Sequence, residues 1–176
     1  MKQSQLSLSY SQCQASDLDA LVQISQDTFR AAFEKDNDPK DFEAYMSSAF
    51  NKVRLSEELG NADSLFYFVL EDNHLVGYFK LNLGEAQTDV KDPNAMELER
   101  IYVQSSHQGK GIGAAMLHKV VALARNRALD YLWLGVWERN PGAIRFYERY
   151  GFQKFGTHPY YIGKDKQTDW LLRLDL

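Results

Sequence analysis

Residues 107–121 read HQGKGIGAAMLHKVV, and within them Gly109, Gly111 and Gly113 stand directly ahead of an amphipathic helix pattern. Successive backbone N–H groups that feed a helix start form a concave donor surface, and the helix dipole adds positive potential there. The chemistry on offer is therefore anion binding. Glycine permits positive φ angles and lets the backbone come close to a bulky anion. A glycine-rich tight turn that binds nothing is the plainer alternative, but three glycines in five residues exceed what a turn needs. A Walker A loop requires GxxxxGK[ST], which is absent from the chain. Gly109, Gly111 and Ala114 satisfy the dinucleotide fingerprint GxGxxG/A, yet that motif belongs in the first βα turn of a doubly wound sheet. Here more than half the chain precedes it, and Glu138 is a late, poor candidate for the ribose-binding acid. The third pattern is Gln108-x-x-Gly111-x-Gly113 after the strand-like LERIYV. Read so, the loop from Gln108 through Gly109, Lys110, Gly111, Ile112 and Gly113 to Ala114 is a cradle for a pyrophosphate.

Other chemistry is scarce. His74, His107, His118 and His158 are scattered without ligand spacing, and neither CxxC nor HExxH occurs, so no metal site is expected. Cys13 is the only cysteine, which rules out a disulfide within the chain and fits a reducing, cytoplasmic setting. A net charge of −4 leaves no overall basic footprint, which argues against nucleic acid or an anionic membrane as the main partner. A cationic substrate is allowed by that balance without being demanded. The longest apolar run, YLWLGV, is far short of a membrane span, and the opening MKQSQLSLSYSQ lacks the apolar core of a secretory signal.

The elements that must position the loop follow from periodicity. With 176 residues and 44% hydrophobic content, a single domain spanning 1–176 is expected. LSLSY (6–10) alternates as a strand. A helix then starts at Ser16 as N-cap, with Asp19 at the capping-box position and Leu18, Leu21, Val22, Ser25 and Phe29 at helical spacing. Pro39 opens a second helix, and Asn51 caps a short third one that ends at Leu59–Gly60. SLFYFVLE and LVGYFKLNL, separated by DNH, form a hairpin, and MELERIYV alternates as the next strand. Past the glycine loop, Met116, Leu117, Val120, Val121 and Ala124 share one helix face. YLWLGVW is a buried strand, and NPGAIRFYERYGF is a short helix with Pro141 near its start and Gly151 past its end. The tail YYIGKDKQTDWLLRLDL reads as a last hairpin around GKDKQT. The order β-α-α-β-β-β-α-β-α-β-β describes a mixed α/β sheet.

LERIYVQSSHQGKGIGAAML followed by LWLGVWERNPGAIRFYERYGF resembles the GCN5-related N-acetyltransferase (GNAT) superfamily in motif, order and spacing. FEAYMSSAF, GYFKLN, LGVWERN and QTDW extend the likeness to the bacterial PaiA-type spermidine/spermine N-acetyltransferases, densely from Met96 to Phe152 and thinly elsewhere. The resemblance implies a mixed, mostly antiparallel sheet splayed between its fourth and fifth strands, with helices on both faces. It also implies acetyl-CoA as donor. The pantetheine arm would bond to main chain at Ile101, Tyr102 and Val103, and the pyrophosphate would sit on the loop Gln108–Ala114. Asn140 matches the asparagine that holds the arm, Ala143 lies with it at the start of the following helix, and Tyr147 matches the tyrosine near the sulfur.

Amine attack on a thioester raises two proton problems. An alkylammonium of pKa near 10.4 is only about a thousandth deprotonated at neutral pH, a cost of roughly 4 kcal/mol. Glu99, beside the splay, is the candidate base, directly or through water, with its alternation partner Glu97 as the other choice. A sheet-face salt bridge with a lysine on a neighbouring strand is an equal reading of Glu99. Tyr147 is the candidate proton donor to the leaving thiolate. Acceptor recognition falls to segments 29–50 and 84–95, which carry Glu34, Asp36, Asp38, Glu85, Asp89 and Asp92. That surplus suits a small cationic amine such as a polyamine, although solvated acidic loops are commonplace. Phe29, Phe33, Tyr78 and Tyr160 are candidates to line the acceptor channel. Another amine as acceptor, or a coenzyme-binding module without turnover, are the rival readings. Oligomeric state is left open, a homodimer included.

Overall fold

A computed structural model describes residues 7–176. Of the strand expected at 6–10, Leu6 lies outside the described residues, and the strand observed is β1, Leu8–Gln12. Three helices follow, α1 (Leu18–Phe33), α2 (Pro39–Ala49) and α3 (Lys52–Gly60). Then come β2 (Ser64–Glu71), β3 (His74–Asn82), β4 (Ala95–Val103), α4 (Ile112–Asn126), β5 (Tyr131–Trp137), α5 (Pro141–Arg149), β6 (Gln153–Ile162) and β7 (Asp165–Asp175). The strands form one seven-stranded sheet in the order β1-β2-β3-β4-β5-β7-β6, antiparallel throughout except for β4 and β5.

Local chemistry accounts for most boundaries. Asp38 accepts from the amides of Lys40 and Asp41 ahead of Pro39, and Asn51 accepts from Arg54. Asp72 and Asn73 take up the positive φ angles that turn β2 into β3. Two expectations are corrected. α1 starts after a turn of 3₁₀ helix in which the Asp17 carboxylate accepts from the Gln14 amide at 2.7 Å, so Ser16 is not its cap. The last hairpin turns tightly at Gly163 and Lys164, with Gly163 at φ 58°, because the segment expected as a loop pairs as strand from Asp165 onward.

The sheet is covered on both faces. Phe79 and Leu81 of β3 join Met116, Val120 and Ala124 of α4, together with Ile144 and Tyr147 of α5. Tyr78, between them in sequence, turns to the opposite face and packs with Leu21 and Ile24 of α1 and Leu55 of α3. Period-two alternation thus lets one strand serve two layers of helix.

β4 and β5 are joined by only three parallel pairs, Ala95–Tyr131, Met96–Leu132 and Glu97–Trp133. Beyond them β4 remains paired only with β3, out to Val103, and β5 only with β7, out to Trp137. The parting begins where β4 carries a bulge: Lys80 faces Arg100 while Leu81 faces Leu98, so Glu99 is the extra residue. A bulge bends its strand and re-aims a side chain. Here it swings the C-terminal half of β4 away from β5 and opens the sheet as the resemblance implied.

Candidate active site

The parted strands form a cleft that opens to solvent. Glu99, Ile101 and Tyr102 of β4 line one wall, Gly135, Val136 and Trp137 of β5 the other. Asn140, Ala143 and Tyr147 close it from α5 and its cap, Phe29 and Phe33 close it from α1 in the opposite layer, and Tyr160 of β6 joins them. Along the β4 wall, the N–H and C=O groups that would have met β5 have no strand partner. Exposed ladder groups of this kind are satisfied by an added strand or by a ligand with amides of its own.

The same wall runs on into the glycine loop. The Gln108 side-chain amide donates to the Val103 carbonyl at 3.1 Å and ties loop to strand end. Gly111 stands at φ 83° as the residue before α4 and offers no side chain to cap it. The first bonded amide is that of Ala115, to the Gly111 carbonyl at 3.1 Å. Among the described residues, the amides of Ile112, Gly113 and Ala114 therefore point out of the helix without acceptors. The Ile112 side chain is buried and anchors the turn, while Gln108 to Gly111 are exposed. This is a donor surface suited to a phosphate. It lies beyond the mouth of the cleft, and its residues and Val103 do not line the cleft itself.

Asn140 uses its Oδ1 to cap α5, accepting from the Ala143 amide at 3.1 Å. Among the described residues its side-chain N–H₂ has no partner. Tyr147 is 8% exposed, packs edge-on against Phe146 and Phe152, and faces the cleft. Its hydroxyl makes no hydrogen bond among the described residues, and burial raises its pKa well above that of a free tyrosine. It is a neutral phenol on the cleft wall.

Glu99 sits in an ionic cluster. Lys80 approaches it at 2.5 Å, Arg100 at 3.3 Å, and Asn82 donates to it at 2.6 Å. Glu58 of α3 binds the same two cations, Lys80 at 3.1 Å and Arg100 at 3.0 Å. The salt bridge with a neighbouring-strand lysine, one of the two readings of Glu99, is thus present. Burial pushes its pKa up, but Arg100 and Lys80 outweigh that and hold it below the usual carboxylate value. Glu97 shares the face of Glu99, since Asn82 donates to both. It is 3% exposed, takes hydrogen bonds from Thr88, and does not line the cleft.

Phe29, Phe33 and Tyr160 do line the cleft, whereas Tyr78 is fully buried between the sheet and helices α1 and α3, does not reach the cleft and leaves the channel set. The acids of 29–50 and 84–95 are largely accounted for by local bonds. Asp38 caps α2, Glu34 pairs with Arg30, Glu85 with Lys91 and Asp89 with His158, and Asp92 accepts from Tyr131. None lines the cleft. Asp36 lies in an adjoining hollow with Glu138, Asp165, Arg139 and Lys166, which shares Trp137 and Gln167 with the cleft. Of the cleft residues that the sequence reading did not single out, Asp169 on β7 is the charged one. A lone acid inside the apolar run TDWLLRL was the available signal.

Among the described residues there is no group of three or more metal-binding side chains, and no helix is long and apolar enough to cross a membrane. Residues 18–152 match the acetyltransferase (GNAT) family. The chain is 38% identical over 157 residues to an uncharacterised N-acetyltransferase of Lactobacillus delbrueckii subsp. lactis, covering 89% of this chain and 91% of that one. It is 31% identical over 83 residues to a spermine/spermidine N(1)-acetyltransferase of Bacillus subtilis, covering 47% and 55%. Among solved structures, the PaiA N-acetyltransferase of Thermoplasma acidophilum in complex with coenzyme A superposes with a TM-score of 0.76. That match has 19% identity and covers 97% of this chain and all of the other.

Proposed function

The chain belongs to the acetyltransferase (GNAT) family, and from that premise we propose that it moves an acetyl group from acetyl-CoA to a primary amine, a polyamine such as spermidine or spermine being the preferred acceptor. The observation that carries the reading is the continuity between the unpaired edge of β4 and the free amides at the start of α4. A ligand with an amide-bearing arm and a pyrophosphate at its end has the polarity to satisfy both in one pose. Ile101 to Val103 meet the arm through main chain. Gln108 to Ala114 meet the phosphates, and the Asn140 N–H₂ offers a further donor to the arm.

Within the cleft the tyrosine hydroxyl donates to the sulfur as the carbon–sulfur bond breaks, which spares a bare thiolate. Glu99, ionised and at the cleft wall, draws the cationic amine inward. It accepts a proton only through water, because its carboxylate is already held by Lys80, Arg100 and Asn82. Phe29, Phe33 and Tyr160 supply apolar surface for an alkyl chain. The adjoining hollow, where Asp36, Glu138 and Asp165 outnumber Arg139 and Lys166 by one charge, offers carboxylates to a second cationic nitrogen. The polyamine preference leans on the Bacillus relative and the PaiA structure, both similar at a distance.

The test is thiol release from acetyl-CoA, screened over spermidine, spermine, free lysine and lysine- or amine-terminated peptides, with mass analysis of the product. Highest kcat/KM with a polyamine supports the full reading. A peptide or amino acid as best substrate keeps acetyl transfer and discards the polyamine. Tight coenzyme A binding without turnover on any amine makes the chain a binding module.

A further inference from the structure

Asp169 lies at mid-length of β7, paired across from Trp137 on β5 and His158 on β6. It lines the cleft, and among the described residues its carboxylate has no hydrogen bond and no ion pair. Glu99, the other carboxylate of the cleft, is held by two cations and an amide. The wall opposite Asp169 has been left bare: a Cβ built on Gly135 would stand 3.3 Å from Asp169 Oδ2. That space falls on the part of β5 that has parted from β4, so the carboxylate reaches into the splay itself. A half-buried carboxylate without a partner is costly to keep and needs a cation to complete it.

Resting on the acetyl-transfer reading, we propose that Asp169 contacts the acceptor amine directly and takes the first proton from its ammonium, leaving Glu99 to supply attractive charge. The step balances as follows. One N–H bond of the ammonium breaks and one O–H bond forms on Asp169, leaving a neutral amine. The nitrogen lone pair then forms the bond to the thioester carbon. On collapse the carbon–sulfur pair leaves with sulfur, the thiolate gains a proton from Tyr147, and the second nitrogen proton passes through water to restore the Tyr147 hydroxyl. Asp169 returns its proton to solvent, so the net release is one proton per turnover.

The surroundings tune the group for this task. Burial raises the Asp169 pKa, His158 on β6 lowers it, and Glu138 at the end of β5 raises it, with the result pushed up to about 6. His158 is itself shared with Asp89 at 3.3 Å, which weakens its hold on Asp169. Gln167 on β7 and Tyr160 on β6 also face the cleft and are neutral. A carboxylate so placed is charged at neutral pH yet a better proton acceptor than a free aspartate.

The test is the pH profile of kcat/KM for the amine in wild type, Asp169→Asn, Asp169→Glu and Glu99→Gln, with coenzyme A affinity measured on each. Wild type should rise to a plateau through an acidic limb near pH 6. Asp169→Asn should lose on the order of 10²-fold at pH 7.5. Its residual rate should climb about tenfold per pH unit, because it must capture amine already deprotonated in water. Its affinity for coenzyme A should stay within twofold of wild type, which excludes misfolding. Asp169→Glu should keep a limb, and so should Glu99→Gln. An Asp169→Asn profile that matches wild type overturns the assignment, as does loss of the limb in Glu99→Gln alone. A wild type inert toward every amine overturns the acetyl-transfer reading and the assignment with it, whereas an active wild type indifferent to Asp169→Asn overturns the assignment only.

Discussion

Tyr147→Phe deletes one oxygen and leaves the ring in place. Because the hydroxyl has no hydrogen-bond partner among the described residues, its removal strands no donor or acceptor, and stability should change by less than about 0.5 kcal/mol. Phe146 and Phe152 keep their contacts with the ring at centroid separations of 5.2 and 5.5 Å. The effect should appear in the chemical step alone. A donor poised at a developing anion is worth about 10² in rate, or roughly 2.7 kcal/mol of transition-state stabilisation. The expectation is therefore kcat down about 100-fold, the KM for acetyl-CoA changed by less than about threefold, and an unchanged denaturation midpoint. Burial keeps the tyrosine neutral across the working range, so it contributes no alkaline limb below pH 10. Tyr147→Ala is the contrast. It opens a void beside both phenylalanines and should cost about 3 to 5 kcal/mol of stability as well as activity. The assay is steady-state thiol release from pH 6 to 9, paired with urea denaturation of each variant. A Tyr147→Phe protein with wild-type kcat would show that the hydroxyl donates nothing to the sulfur. A large loss of stability would show that it has a partner in the fold.

Three further outcomes follow from the geometry. Glu58→Ala should cost about 3 to 5 kcal/mol in chemical denaturation, since it leaves Lys80 and Arg100, 5% and 11% exposed, with Glu99 as their remaining ionic partner; a loss under 1 kcal/mol would mean the cluster re-pairs without it. Gly77→Ala should destabilise by about 1 to 3 kcal/mol and, on the proposed reading, raise the KM for acetyl-CoA, because a Cβ there meets the Tyr102 carbonyl oxygen at 2.6 Å and must displace the cleft-lining half of β4; unchanged melting and KM would contradict that close approach. For Asp169, a folded-state pKa of about 6 lies above the value of an unfolded aspartate, so the fold binds the proton more tightly and stability falls as pH rises from about 4 through 6. Asp169→Asn should accordingly raise the melting temperature at pH 7.5 and lose that advantage towards pH 4, and a variant less stable at both pH values would refute the shift.

Much of this protein is local in origin and was legible one segment at a time. Pro39 after Asp38, Asn51 before α3 and the Asp72–Asn73 turn are decided by capping and φ preference, which act over a few residues. The glycines after Gln108, their place before an amphipathic helix and the resemblance carried by LERIYV and NPGAIRFYERYGF belong to the same category, so the family and the glycine loop ahead of α4 were within reach of the sequence. The boundary between Gly163 and Asp165 was not. Polar residues from Lys164 to Thr168 pair as strand because β6 lies alongside, and that partner is a tertiary fact. The roles of the carboxylates also waited on the fold. Alternation put Glu97 and Glu99 on one face, but only the bulge at Glu99 decides which of them reaches the cleft. Only the approach of α3 through Glu58 completes the ionic cluster in which Glu99 is held. Asp169 becomes visible as a cleft residue when β7 pairs with β5 across the opening, bringing together groups more than thirty positions apart in the chain. Spacing along the chain encodes backbone conformation and the motifs that depend on it. The protonation and partnership of a side chain depend on what distant segments place around it, and the tertiary structure alone settles that.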